Sequence, residues 1–268
     1  MNHRNRRIPR LAGLAVALLH FPTLGFAQPT PRVVHVFVAL ADNAHQGIIP
    51  VPTVFGNGND PSRNLYWGAA FGVRTFFRKS AEWRETLRVE RPYKSVLERI
   101  VFQHRSANVV IVADAYQGSE IGQAVMDFFS AAAGVRLHKG EAAACAVGGA
   151  VSCPPENSEL VVYVGHDGLM DFSLTQAISR ADTASRKTII LACASKQYFA
   201  TPLKSTGAQP LLWTTNLMAP EAYTLKAALD GWILNESAEQ IRHRAAAAYA
   251  QYQKISMTAA LRLFSSSW

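Results

Sequence analysis

The chain contains few of the residues on which common catalytic and metal-binding motifs depend. It has three cysteines in 268 residues, and none of them forms a Cys-x-x-Cys pair. The usual zinc sites and redox-active dithiols therefore have no support in the sequence. Gly-x-Ser-x-Gly and His-Glu-x-x-His are also absent, so serine hydrolases of the nucleophile-elbow type and zinc peptidases are not indicated. We expect neither a metal ion nor a cofactor.

Basic residues exceed acidic ones, but much of this excess lies at the N-terminus. The formal net charge is +8, and Arg4, Arg6, Arg7 and Arg10 supply half of it. Without them 23 basic residues face 19 acidic ones, a charge of +4. No Lys/Arg run with interleaved aromatic residues occurs further along the chain. This pattern is typical of an ordinary solvated surface, and we expect no nucleic-acid partner.

Residues 1–27 have the pattern of a secretory signal peptide. The four arginines precede the apolar run "LAGLAVALLHFPTLGFA", which ends at Gly25-Phe26-Ala27. Small residues at such a site favour cleavage before Gln28 and export to the periplasm or the medium. An uncleaved membrane anchor is the alternative, although Pro22 and the short apolar core disfavour a stable span. No later stretch is long and apolar enough to cross a bilayer.

An exported protein meets oxidising conditions, in which cysteines tend to pair. Cys145 and Cys153 bracket "AVGGAVS" within residues 134–157, a Gly-, Ala- and Pro-rich insertion. We predict a disulfide between these two cysteines, with two free buried thiols as the alternative. Cys193 is then the odd cysteine of an exported chain. It is either a small core residue at a strand end or a functional thiol.

Short apolar runs predict the strands of a mostly parallel α/β sheet, because helices cover both faces of such a sheet. The runs occupy residues 33–40, 108–115, 159–166, 187–193 and 210–216. Residues 84–90 and 99–104 alternate more and predict edge or hairpin strands. Residues 28–268 are long enough to bury one large core, and we expect a single domain.

Segments with helical features separate these strands. We predict helices over residues 64–80, 119–134, 171–182 and 220–234, and a last long helix that begins at Ser237. Gln240 lies three residues after this serine, which is a capping-box pattern. Strands that alternate with helices predict right-handed crossover connections and helices on both sides of the sheet.

Two residues with catalytic potential follow neighbouring strands of this predicted sheet. His166 ends "ELVVYVGH" and Cys193 ends "KTIILAC", with one predicted crossover helix between them. Parallel strands deliver the residues that follow them to the same edge of a sheet, where ligands bind. A thiolate attacks carbonyl groups well, and a nearby imidazole can accept the thiol proton. The alternative is a structural histidine and a buried thiol.

The segments around these two residues resemble the caspase–haemoglobinase cysteine peptidases. "VVYVGHDGLMDF" and "IILACASKQYF" are similar to the blocks in which an apolar strand leads to His-Gly and the next strand leads to Ala-Cys. The legumain-type branch is nearest in appearance. "LLWTTNLMAPEAYT" keeps that branch's order of Thr-Thr, Pro, Glu and Tyr, and "VFVALADNAHQG" is similar to its first strand and loop. The resemblance covers roughly residues 33–232 and implies a three-layer, caspase-like sandwich.

This resemblance implies an exported cysteine peptidase, either an endopeptidase or a transpeptidase, which acts on peptides or proteins through an acyl-enzyme. Cys193 would be the nucleophile and His166 the acid and base. Asn43 would orient the imidazole, and the amide of Cys193 with one amide from the Asp167–Gly168 loop would bind the oxyanion. The pocket that selects the substrate side chain would lie near Thr214, Thr215 and Glu221.

Two residues depart from the family pattern. Asp167 follows the histidine where the family has glycine, and an inward carboxylate would oppose the developing negative charge on the substrate oxygen. Ala194 stands where legumain-type enzymes carry an acid, so asparaginyl specificity is not assigned. These departures motivate a second hypothesis, a catalytically inactive domain that binds peptides or acts as a scaffold. A redox role for Cys193 has the least support, since the chain has no Cys-x-x-Cys pair.

Overall fold

A computed structural model describes Met1, residues 30–137 and residues 158–268 of the chain. The predicted signal peptide, apart from Met1, and most of the insertion at residues 134–157 lie outside the described residues. The predicted disulfide between Cys145 and Cys153 lies there as well, so it stays a prediction. Cys193 has a free thiol.

The described residues form one eight-stranded mixed sheet with the strand order β2-β3-β4-β1-β5-β6-β7-β8. The parallel pairs are β1 with β4, β1 with β5, β5 with β6, and β6 with β7. The pairs β2–β3, β3–β4 and β7–β8 are antiparallel. The strands are β1 (Arg32–Ala39), β2 (Trp83–Tyr93), β3 (Val96–His104), β4 (Val109–Tyr116), β5 (Leu160–Val164), β6 (Lys187–Leu191), β7 (Gln209–Thr214) and β8 (Phe264–Ser265).

In the described parts of the chain, six α-helices pack on the two faces of this sheet. They are α1 (Val73–Lys79), α2 (Ile121–Ala133), α3 (Ser195–Thr206), α4 (Ala222–Ile233), α5 (Ala238–Gln253) and α6 (Met257–Leu263). The side chains of the central strand β1 alternate between the two faces of the sheet. On one face, Val34, Val36 and Val38 pack in a core with residues of α1, α4, α5 and α6. On the other face, Phe37 and Ala39 pack in a core with residues of α2 and α3. The protein is therefore an α/β three-layer sandwich, which confirms the predicted fold class.

The buried runs predicted as strands all form strands, and the alternating segments form the antiparallel hairpin of β2 and β3. The capping box at Ser237 and Gln240 is present, with both reciprocal hydrogen bonds. Helix α2 ends at Gly134, whose φ of +81° lies in the left-handed region that glycine adopts most easily.

The predicted helix at residues 64–80 is wrong over its first half, since only Val73–Lys79 is helical. The side chain of Asn64 bonds the backbone N–H and C=O of Ala41 and fixes a turn instead. The chain also passes so close to Gly68 that an ideal Cβ there would lie 2.0 Å from the carbonyl oxygen of Ser62. The hydrogen bonds of Asn64 and the close approach at Gly68 require turns in this segment, although its apolar spacing is typical of a helix.

The predicted crossover helix at residues 171–182 is also wrong, because this part of the β5–β6 connection is irregular. Its backbone bonds outward: the N–H of Arg180 donates to the carbonyl of Ser205, and that of Ala181 to the carbonyl of Ala133. Amides that bond to the ends of α3 and α2 cannot form a helical i→i−4 ladder. A short 3₁₀ turn at Gly168–Met170 precedes this segment.

Within residues 30–137 and 158–268, the helices are all too short or too polar to span a bilayer. The same residues contain no group of three or more His, Cys, Asp or Glu side chains that could hold a metal ion.

Candidate active site

His166 and Cys193 emerge at the carboxyl edge of the parallel strands. The backbone reaches His166 two residues after β5 ends and Cys193 two residues after β6 ends. These strands are direct neighbours, with Val164 paired to Leu191. Next to them, β1 lies between β4 and β5, which is a point where the strand order reverses and a crevice opens. Both side chains line one cavity of about 450 Å³ at this edge.

The imidazole of His166 is oriented by a carboxylate that the sequence analysis did not identify. Its Nε2 lies 2.7 Å from Oδ2 of Asp171, and the same oxygen accepts the Gly47 N–H at 3.0 Å. His166 is only 7% exposed, so water has little access to its side chain, and the contact with Asp171 fixes the ring. With Nε2 engaged by Asp171, Nδ1 is the ring nitrogen left for proton exchange in the cavity.

Asn43, expected to orient the imidazole, lies elsewhere in the loop after β1. Its side-chain amide donates to the carbonyl of Val51 at 2.7 Å and accepts the Val51 N–H at 3.1 Å. These two bonds close the loop of residues 43–51, and Asp171 makes the contact with the histidine. The sequence offered one signal for this role, an acidic residue five positions after His166 in "HDGLMD".

The Cys193 thiol is partly buried and bonds to the backbone of Met218. The sulfur accepts the Met218 N–H at 3.4 Å and donates to the Met218 carbonyl at 3.6 Å. Burial raises the pKa of this thiol, the Met218 amide partly offsets the rise, and the nearby Asp167 carboxylate adds to it. The thiol is therefore neutral at rest, and its proton must leave before the sulfur can attack a carbonyl.

The turn that carries Cys193 is fixed by the buried hydroxyl of Thr214. This oxygen accepts the Ser195 N–H at 3.1 Å and makes a short hydrogen bond to the carbonyl of Ala192. Between these two contacts Ala194 has a φ of +44°, a strained conformation for a non-glycine residue. Thr214 thus supports the turn that carries Cys193. Thr215 bonds the carbonyl of Leu263 and lines a different surface depression.

The loop after His166 is a compact turn whose amides are largely occupied. The Gly168 N–H donates to the carbonyl of His166 at 3.0 Å, and the Met170 N–H donates to the carbonyl of Asp167 at 3.1 Å. Gly168 therefore has no free amide to offer to a substrate oxygen. The amides of Asp167 and Cys193 are left as candidate oxyanion donors.

The Asp167 carboxyl is fully buried beside the site. Its Oδ1 accepts the Leu169 N–H at 3.0 Å, whereas Oδ2 has no hydrogen-bond partner. Burial raises the pKa of this carboxyl from 3.8 to about 7, and the neighbouring Asp171 charge contributes to the rise. A group that titrates near neutrality adjacent to the imidazole makes the charge of the site depend on pH.

Glu221 lines the cavity at the start of α4. Its Oε2 accepts the Tyr223 hydroxyl at 2.9 Å and the Gln253 side-chain amide at 3.2 Å. Burial raises the pKa of this carboxyl, and the Tyr223 hydrogen bond partly offsets the rise. Of the three residues expected near a substrate pocket, Glu221 is the one that lines the cavity of His166 and Cys193.

Comparisons of the chain with family models, with curated proteins and with solved structures gave no match.

Proposed function

We propose that the protein is a cysteine peptidase in which Cys193 is the nucleophile and His166 the proton carrier. The observation that carries the proposal is their common cavity, which receives both side chains from adjacent parallel strands. Asp171 supports it further, because a carboxylate on Nε2 fixes the ring and stabilises the imidazolium that forms during the reaction.

The reaction begins when the Cys193 thiol transfers its proton to the imidazole and the sulfur attacks the scissile carbonyl carbon. A C–S bond forms, and the oxygen takes up negative charge that the amides of Cys193 and Asp167 can stabilise. The imidazolium then protonates the leaving amine as the C–N bond breaks, which leaves a thioester on Cys193. Water, or a second amine in a transpeptidase, attacks this thioester with the imidazole as base and regenerates the thiol.

Asp167 favours one competing function, a peptide-binding domain without turnover. Its buried carboxyl raises the pKa of the Cys193 thiol and lies next to the proposed oxyanion site. When this carboxyl is ionised, both effects oppose formation of the tetrahedral intermediate. When it is protonated, both effects disappear. Catalysis should therefore be strongest at mildly acidic pH, whereas a binding domain needs no such dependence.

The test uses the exported form, residues 28–268, and a library of internally quenched peptides. We expect cleavage at about pH 6 with a burst that reports the acyl-enzyme. Cys193→Ala should abolish turnover, and His166→Ala should reduce kcat/KM by at least about 100-fold because proton transfer is lost. His243→Ala is the matched control, since His243 is exposed on α5 outside the cavity, and it should retain full activity.

Two results would contradict the proposal. One is a folded protein that cleaves no member of the library. The other is cleavage that persists in Cys193→Ala. Peptide binding without cleavage, undiminished in Cys193→Ser, would favour the peptide-binding domain.

A further inference from the structure

The cavity that contains His166 and Cys193 has one acidic side chain and no basic one on its wall. The carboxylate is that of Glu221, and none of the described residues that line the cavity is a lysine or an arginine. The other ionisable groups of the lining are the imidazole, the thiol and the hydroxyls of Tyr66 and Tyr249. Glu221 is therefore the acidic group that the described lining offers to a ligand.

Much of the remaining wall is apolar and reaches the protein surface. Ile49 is 82% exposed, Leu217 62% and Met170 43%, and all three lie on the lining. Single exposed apolar residues are common, but three around one opening form a surface suited to hydrocarbon. The long stems of lysine and arginine pack on such surfaces while the charged group extends to a polar partner.

Glu221 is oriented but not neutralised. The hydroxyl of Tyr223 and the amide of Gln253 both bind its Oε2, and neither donor carries a charge. Within residues 30–137 and 158–268, no lysine or arginine shifts the pKa of this carboxyl. A partly buried carboxylate that lacks a cation is energetically costly, and a cationic ligand would supply the missing charge.

Aromatic side chains connect the carboxylate to the catalytic groups. Tyr66 and Tyr249 line the same cavity as Cys193 and Glu221. Burial raises the phenol pKa of both tyrosines, so both hydroxyls stay neutral. Aromatic rings beside a carboxylate are favourable surroundings for a guanidinium or an ammonium group. The Ala219 N–H donates to the Tyr249 hydroxyl at 3.0 Å and fixes its position.

We infer that the cavity selects a substrate residue with a basic side chain, lysine or arginine, at the position that supplies the scissile carbonyl, and that Glu221 is its counter-ion. The inference rests on the proposed peptidase function, which it deepens by naming the substrate class. Glu221 also lies at the N-terminal boundary of α4, where acidic residues favour the helix dipole, but it makes no capping hydrogen bond there. Its place on the cavity wall fits ligand binding better.

Binding to the Cys193→Ala variant tests selectivity without turnover. Three peptides differ only at the selected residue, which is arginine, its neutral isostere citrulline, or norleucine. Because a charge-assisted hydrogen bond is lost with citrulline, we expect the arginine peptide to bind about 10- to 100-fold more tightly than either neutral peptide. Adding Glu221→Gln should reduce this preference to about 3-fold or less. Glu239→Gln, an exposed glutamate of α5, is the matched control and should preserve it.

The outcomes separate the inference from the proposed function. Equal affinity for the three peptides in Cys193→Ala, or a preference that survives Glu221→Gln, would overturn the inference even if the active enzyme cleaves peptides. Selective binding of arginine with no cleavage by the unmodified protein would support the inference and contradict the peptidase proposal. Because the three-peptide comparison uses an unmodified Glu221, it remains decisive if the Glu221→Gln variant does not fold.

Discussion

Replacing Asp167 by asparagine should change how both stability and thiol reactivity depend on pH. Asparagine keeps the shape of the side chain and an oxygen that can accept the Leu169 N–H, but it cannot ionise. The pKa of the Asp167 carboxyl is raised from 3.8 to about 7. Between about pH 3.8 and pH 7, the Asp167 carboxyl is therefore protonated in the native protein and ionised in the unfolded chain.

The sign of the effect follows from linkage. The stability contributed by protonated Asp167 is fully present below about pH 3.8 and is lost as the pH rises to about 7. One pH unit in this range corresponds to about 1.4 kcal/mol, so between about pH 5.5 and pH 8 the wild-type protein should lose at most about 2 kcal/mol from this group. The Asp167→Asn variant lacks this loss. Any cost of the unpartnered amide is the same at both pH values and cancels in the comparison.

Urea unfolding of both proteins at these two pH values measures this double difference. A second assay follows alkylation of Cys193 by iodoacetamide across the pH range. Because the Asp167 charge contributes to the raised pKa of the thiol, the alkylation profile of Asp167→Asn should shift to lower pH. Parallel pH dependence of stability in the two proteins, together with coincident alkylation profiles, would refute the assignment of a buried carboxyl that titrates near neutrality beside the Cys193 thiol.

Three further substitutions test the supports of the site and of the fold. Asp171→Asn should lower kcat about 10- to 100-fold with little change in KM, because the carboxylate fixes the orientation of the His166 ring. An unchanged kcat would contradict this role. Thr214→Val removes the acceptor of the Ser195 N–H and should lower the free energy of unfolding by about 1–3 kcal/mol in urea titrations. No loss of stability would show that the turn carrying Cys193 does not need this hydroxyl. Ser237→Ala removes the capping box of α5 and should lower the free energy of unfolding by about 1 kcal/mol without altering peptide cleavage. Reduced cleavage would contradict a purely local role for this serine.

The sheet could be predicted from the sequence because its central strands are buried on both faces. Continuous apolar runs such as Val33–Leu40 have few alternatives to a covered strand, and their order along the chain indicates parallel crossovers. The positions of His166 and Cys193 follow from the same pattern, since both come directly after such runs. Strand order itself, with β1 between β4 and β5, depends on tertiary packing and was not readable from periodicity.

The misassigned segments share a physical cause, which is backbone bonding to distant partners. At residues 171–182 the amides of Arg180 and Ala181 bond to the ends of α3 and α2, and local spacing carries no information about these contacts. Asp171 was missed for the same reason. It was placed at the start of a helix, but the irregular turn brings its carboxylate to His166 and Gly47 instead. Helix α3 has a weak sequence signal, since half of its buried face is polar and Pro202 lies inside it.

The account depends most directly on Cys193 acting as a nucleophile that needs His166. The measurement is the alkylation rate of the protein by a peptidyl acyloxymethyl ketone, with the modified residue identified by peptide mapping. We expect a single adduct on Cys193, formed at least about 100-fold more slowly in His166→Ala than in His243→Ala. Equal rates in the two variants, or an adduct on another residue, would contradict the account.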